Sequence, residues 1–155
     1  QIPFLRKHIE DEIKNSIEED VDFCFNSLKQ TYGDRGYTTN LKKGETIVEL
    51  LPQKILLTIN SEFTFSKDDD NQRRETFRVV VNNNLYELVA IAQNIIEWET
   101  IYGGADPDGY MDAYSNLKVE KYPQTDETTI YILTDKDTEN KFQFASRSIA
   151  FSPVG

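Results

Sequence analysis

The chain has 155 residues, a formal net charge of −10 and a hydrophobic fraction of 38%, with nine Phe, eight Tyr and one Trp. That length suits one domain that buries about two thirds of the surface its unfolded chain exposes, around an aromatic-rich core. The charge repels phosphate backbones and no dense Lys or Arg cluster offsets it, which argues against nucleic acid as a partner; a single Cys and a single His exclude zinc sites of the usual ligand density and any disulfide within the chain.

Taken in order, Ile9, Ile13, Ile17, Val21, Cys24 and Leu28 fall three or four apart and predict an amphipathic helix over about 4–30. Gly33, Asp34 and Gly36 then turn the chain, and 37–41 can extend before Lys43-Gly44 turns it again. Residues 45–51 are apolar and β-branched, and Pro52-Gln53 is a turn. Ile55, Leu57, Ile59, Phe63 and Phe65 follow in a half-buried alternating row, which Ser61 interrupts as a bulge or bend. The hydrophilic stretch 67–74 is expected to be a loop, with Phe77, Val79 and Val81 restoring the alternation as the return arm of a long hairpin.

Leu85, Leu88, Val89, Ala92, Ile95, Ile96 and Glu99 then share one face of a helix over 84–102. Asn84 with Glu87 has the form of a capping box, and Gly103-Gly104 is a stop. Residues 103–114 are expected to be a loop or broken helical turn, and three more strands are predicted over 117–122, 128–134 and 141–151. The pattern predicts an α+β fold over a single domain, 1–155. Its antiparallel sheet has about six to seven strands, with both long helices on one face, in the manner of cystatin-like or profilin-like folds.

Candidate chemistry is sparse. His8 lies near the start of the first helix with no partner named by the sequence, and fits an exposed helical residue. Cys24, between Phe23 and Phe25, is either a buried inert thiol or half of a disulfide to a cysteine outside this chain. Asp106, Asp108 and Asp112 gather oxygen ligands around Gly109 and are weak calcium candidates, because an EF-hand needs a further Asp or Asn and a Glu that are missing. Asp135, Asp137 and Glu139 form a second acidic group that also suits a hairpin tip. Glu97 and Glu99 point in different directions from the helix and do not make an acid–base pair. Trp98 fits a core or interface aromatic and is an interaction candidate, while Tyr102, Tyr110, Met111 and Tyr114 cluster in an irregular segment and fit either a binding surface or the packing over a helix end. No phosphate loop, nucleophile elbow or His-Glu metal motif occurs, so neither a catalytic residue nor a cofactor is predicted.

The order LRKHIEDEIKNSIEEDVDFCF, GYTTNLKKGETIVEL, LYELVAIAQNIIEWE, IYILTD and FQFASRS resembles the C-terminal part of a set of small archaeal proteins, found mainly in DPANN lineages, which carry a short pilin-like hydrophobic N-terminus and an extracytoplasmic domain. The resemblance covers most of the chain and rests chiefly on IIEWE and FQFASRS. It brings no defined activity. What it implies is placement at the cell surface, an anchor upstream of these residues, and a disulfide from Cys24 to that upstream region. The start at Gln1 without a methionine fits a processed or trimmed piece, although no hydrophobic anchor occurs in the chain itself. The resulting expectation is a non-enzymatic surface domain for assembly or attachment, contacting a protein partner or its own copies through sheet edges or residues 102–114. The rival is a cystatin-like domain that binds or hydrolyses a small molecule in a pocket formed by Phe63, Phe65, Phe142 and Phe144.

Overall fold

Among the described residues three helices and nine strands follow one another as one helix, six strands, two helices and three strands. The structure, a computed structural model, describes residues 4–147; the far end of the last predicted strand, 148–151, lies outside them. The chain divides into two compact units, one of Lys7–Asn82 and one of the residues up to Arg6 together with those from Asn83 onward.

In the first of these units α1 (Leu5–Asp34) buries one aromatic residue, Phe25, flanked by half-buried Val21, Leu28 and Tyr32. Gly36, at φ 85°, turns the chain out of the helix, and the Tyr37 amide reaches back to the Tyr32 carbonyl. β1 (Thr38–Lys42), β4 (Glu62–Lys67) and β5 (Asp70–Arg74) form one antiparallel sheet; β2 (Thr46–Leu51), β3 (Lys54–Ile59) and β6 (Phe77–Asn82) form another. The core is a cluster of rings. Phe25 meets Phe77 edge-on at 5.3 Å and lies 6.5 Å from Phe63, while Tyr32 and Phe65 are 4.3 Å apart. Such contacts add to the burial of large apolar areas.

These two sheets come from one meander with a kink across it. β3 and β4 are successive in the chain, and their partners β2 and β1, or β6 and β5, are successive as well. Between the pairs Lys42↔Glu62 and Thr46↔Ile59 one arm carries three residues, 43–45, and the other two, 60–61, so the register slips by one. Gly44 is required at the slip: a Cβ there would stand 1.7 Å from the Asn60 carbonyl oxygen. The Gly44 amide donates to buried Ser61 Oγ at 3.0 Å, and Asn60 N donates to the Glu45 carbonyl at 2.8 Å. The expected interruption at Ser61 is therefore a break between two sheets.

In the other unit α2 (Leu85–Tyr102) packs on β8 (Thr128–Asp135) and β9 (Lys141–Arg147), and the short α3 (Pro107–Ala113) packs on β7 (Leu117–Pro123). These three strands form a third sheet, ordered β7-β8-β9. Its core joins Leu88, Ala92 and Ile95 of α2 to Leu117, Val119, Tyr131 and Leu133.

The α+β class and the antiparallel pairing are as expected, but a single sheet of six to seven strands with both helices on one face is not. Among the described residues there are three sheets of three strands. α1 serves the aromatic cluster of one unit and α2 the third sheet of the other. The stretch 67–74 holds β5, turned by Asp68 at φ 50° and exposed throughout. The Asn84 side chain does not cap α2; Asn83 Oδ1 accepts the Leu85 amide instead, while Asn84 bonds to Asp135 and Asn140. Gly103, at φ 74°, ends α2 as expected.

Edge strands differ in their protection. β1, β5, β7 and β9 carry charges, and the β2 amide of Leu50 donates to Glu10 Oε1 of α1. β6 exposes Val79, Val80 and Val81 in succession, with Arg78 as its one charge.

Replacing Gly44 with Ala is expected to cost at least about 3 kcal/mol, since the backbone of the opposite arm must move, whereas Ser61→Ala costs about 1–2 kcal/mol for one hydrogen bond. Urea denaturation of the two variants checks this order; equal losses would mean that the kink tolerates a methyl group.

Candidate functional site

α2 and α3 present matched pairs of side chains. Asn94 and Trp98 stand one turn apart on α2, and Tyr110 and Tyr114 stand one turn apart at the end of α3. Together with Asp106, Gly109 and Ala113 they line a cleft of about 380 Å³. One end is tied by a hydrogen bond from the Tyr110 hydroxyl to Asn94 Oδ1 at 2.6 Å. At the other, Trp98 is 47% exposed and Tyr114 49%, well above what an apolar ring filling a core would show. Tyr102, one turn beyond Trp98, lies against its indole at 4.6 Å with the two rings tilted by 34°. Burial, with Tyr114 and Glu97 nearby, pushes the Tyr110 hydroxyl above its ordinary pKa.

The wall is held from below by a buried carboxylate. Glu99 is 3% exposed; it accepts hydrogen bonds from the Tyr131 hydroxyl and from the Ala105 amide at 3.2 Å, and Lys121 Nζ pairs with it at 3.4 Å. Lys121 also donates to the Ala105 carbonyl at 3.1 Å and stands over the Tyr131 ring. Burial in the first place, then the bond to Glu99, raises the Tyr131 pKa far above that of a free tyrosine. Both polar groups of Ala105 are thereby fixed, which sets the path of residues 103–106 from α2 into α3 and so the separation of the two aromatic pairs.

All four aromatic residues singled out in the sequence are brought together: Trp98, Tyr110 and Tyr114 line the cleft and Tyr102 extends it. Met111 turns the other way and packs on the core of this unit. Asp106 caps α3, its Oδ1 accepting the Asp108 amide at 3.1 Å, while Asp108 and Asp112 are exposed. Among the described residues no three carboxylate, His or Cys side chains converge in a way that could hold a metal ion. The acidic group at 135–140 is a hairpin tip: Asp135 Oδ1 accepts the amides of Asp137 and Thr138, and these bonds, the Thr138 amide first, lower its pKa. His8 is exposed.

Cys24 is exposed, so the buried-thiol alternative is corrected. The buried stripe of α1 passes from Val21 to Phe25, four residues on, rather than to Cys24. The four rings required for a sheet pocket are split as well: Phe63 and Phe65 pack with Phe25, and Phe142 and Phe144 pack against the cluster containing Tyr131. Asn94 and the Glu99–Tyr131–Lys121 group were missed from sequence. An acid at the end of an otherwise apolar helical face, as Glu99 is, was the available sign of a buried ion pair.

Compared with known protein families, curated proteins and solved structures, the chain matches none.

Because unfolded Tyr131 ionises near pH 10 and the folded residue keeps its proton well above that, its contribution to stability is complete below pH 10 and is lost as pH rises. Tyr131→Phe is expected to cost about 2 kcal/mol at pH 7 and to flatten the alkaline fall in stability by up to ~1.4 kcal/mol per pH unit. Urea titrations of both proteins between pH 8 and 11.5 test it; parallel profiles would show that the hydroxyl is not bound in the folded state.

Proposed function

We propose that this chain is a non-enzymatic recognition domain of a cell-surface protein, placed outside the cytoplasm by a segment that is not part of the chain, and that it engages a protein partner through the cleft between α2 and α3. The observation that carries this reading is the retention of half-exposed Trp98 and Tyr114 in one cleft, with exposed Tyr102 against Trp98, where large aromatic surfaces remain available for burial by a partner. Aromatic anchors in a concave site are the residues on which protein contacts most depend. The surface placement is supported by the resemblance of IIEWE and FQFASRS and by the overall acidity. The exposure of the Cys24 thiol fits the implied disulfide to a cysteine outside the chain. A second reading, a small-molecule site in the same cleft, is favoured by its volume, which lies within the range of ligand pockets.

The test is photocrosslinking in cells that produce the full protein. Benzoylphenylalanine at position 102 or 114 is expected to give one discrete protein adduct that is lost on Trp98→Ala, with none from position 76. Adducts of equal yield from all three positions, or none from 102 and 114, would remove the cleft from the contact.

A further inference from the structure

The chemistry of the cleft selects its occupant. Between Arg78 and Lys118 the sequence holds six acids and no base, and both helices that form the cleft lie within that stretch. Asp106 lines the cleft itself, and Glu97, beside Trp98 in the sequence, is close enough to act on the Tyr110 hydroxyl. Two bases of the same unit are engaged elsewhere: Lys121 is turned to Glu99 and the Ala105 carbonyl, and the Lys136 ammonium is held by the Ser115 carbonyl at 3.0 Å. Neither lines the cleft.

Three aromatic rings with a carboxylate and no cation among the lining residues favour positive charge. Ring faces carry negative potential, Trp most of all, and an adjacent carboxylate adds to it. An anionic or neutral polar group gains nothing from such walls. An apolar group would gain from burial against the rings but makes no use of the Asp106 charge. A cation on an apolar stem satisfies both, with its methylenes against the rings and its charge toward Asp106.

Resting on the proposed function, we infer that the cleft between α2 and α3 receives the basic side chain, Lys or Arg, of a partner protein, held between Trp98, Tyr110 and Tyr114 with Asp106 as its counter-charge.

Trp98 is the only tryptophan in the chain, so intrinsic fluorescence reports directly from the cleft. The probes are acetylated and amidated tripeptides, Gly-Lys-Gly, Gly-Arg-Gly and Gly-norleucine-Gly, with spermidine as the free cation. The Lys and Arg peptides are expected to change the Trp98 emission saturably and to bind about ten-fold more tightly than the norleucine peptide. Their affinity should fall as salt is raised from 0.05 to 0.5 M, while that of the norleucine peptide does not. Tyr114→Leu, which keeps the apolar body but not the ring, and Asp106→Asn should each weaken the Lys peptide by about three-fold. The salt dependence of the unmodified protein keeps the test decisive should either variant disturb α3.

Equal affinity of the norleucine peptide would overturn the cationic class and leave the cleft a binding surface. Spermidine binding in the absence of peptide binding would overturn the protein side chain as occupant. Silence from every probe overturns the inference, and only the loss of the position-102 and position-114 photocrosslinks as well would remove the proposed function with it.

Discussion

The junction of α2, α3 and the third sheet is built around the buried carboxylate of Glu99. Glu99 ends the apolar face of α2, and in that position it would be strongly destabilising unless compensated. It is compensated by three donors from three places in the chain: the Tyr131 hydroxyl on β8, Lys121 on β7 and the Ala105 amide in the connection to α3. Replacing such a group by a well-packed apolar residue often leaves stability unchanged or improves it, so its value lies in specification. Each donor fixes a different element to the same oxygen, and the aromatic pairs on α2 and α3 inherit their spacing from that point. The Glu99 contacts thus tie the connection between α2 and α3 to the sheet independently of what the cleft binds.

The other unit is organised by a steric rule instead. Its meander would form one three-stranded sheet if the register ran unbroken, but the close approach of Gly44 to the Asn60 carbonyl divides it into two. Where one unit is positioned by a charge that must be neutralised, the other is bent by a side chain that must be absent. Phe25, Phe63, Phe65 and Tyr32 then pack together with residues from both sides of the break, Phe63 and Phe65 from β4 and Ile59 and Phe77 from β3 and β6.

Local pattern carried most elements into view and long-range pairing carried almost none. The stripe Leu88, Val89, Ala92, Ile95 and Glu99 and the stop at Gly103 were legible because helical burial and a left-handed terminus depend on neighbours in sequence. β5 was not legible: Asp70, Asn71, Gln72, Arg73 and Arg74 are polar on both faces, and they extend because β4 offers them a ladder and Glu62 an ion pair with Arg73. Phe25 was passed over for Cys24 because a step of three or four from Val21 satisfies the same periodicity. The choice between Asn83 and Asn84 at the head of α2 turned on Asp135 and Asn140, more than fifty residues away. Of the site, Tyr102, Tyr110 and Tyr114 were legible as a cluster and Trp98 only as a separate core or interface aromatic; Asn94 and the Lys121–Tyr131 support were hidden, because each acquires its role only through a contact distant in sequence.

The unguarded edge of β6 gives the net charge a meaning beyond solubility. Val79, Val80 and Val81 leave one side of that ladder open to any extended segment, and with only Arg78 on the strand itself the barrier to such pairing is the mutual repulsion of whole molecules. That barrier is set by acidity, so it vanishes near the isoelectric point of about 4.6 and shrinks when counter-ions shorten the range of the field. The pH and ionic strength of the medium thus set the repulsion between molecules that carry this exposed strand.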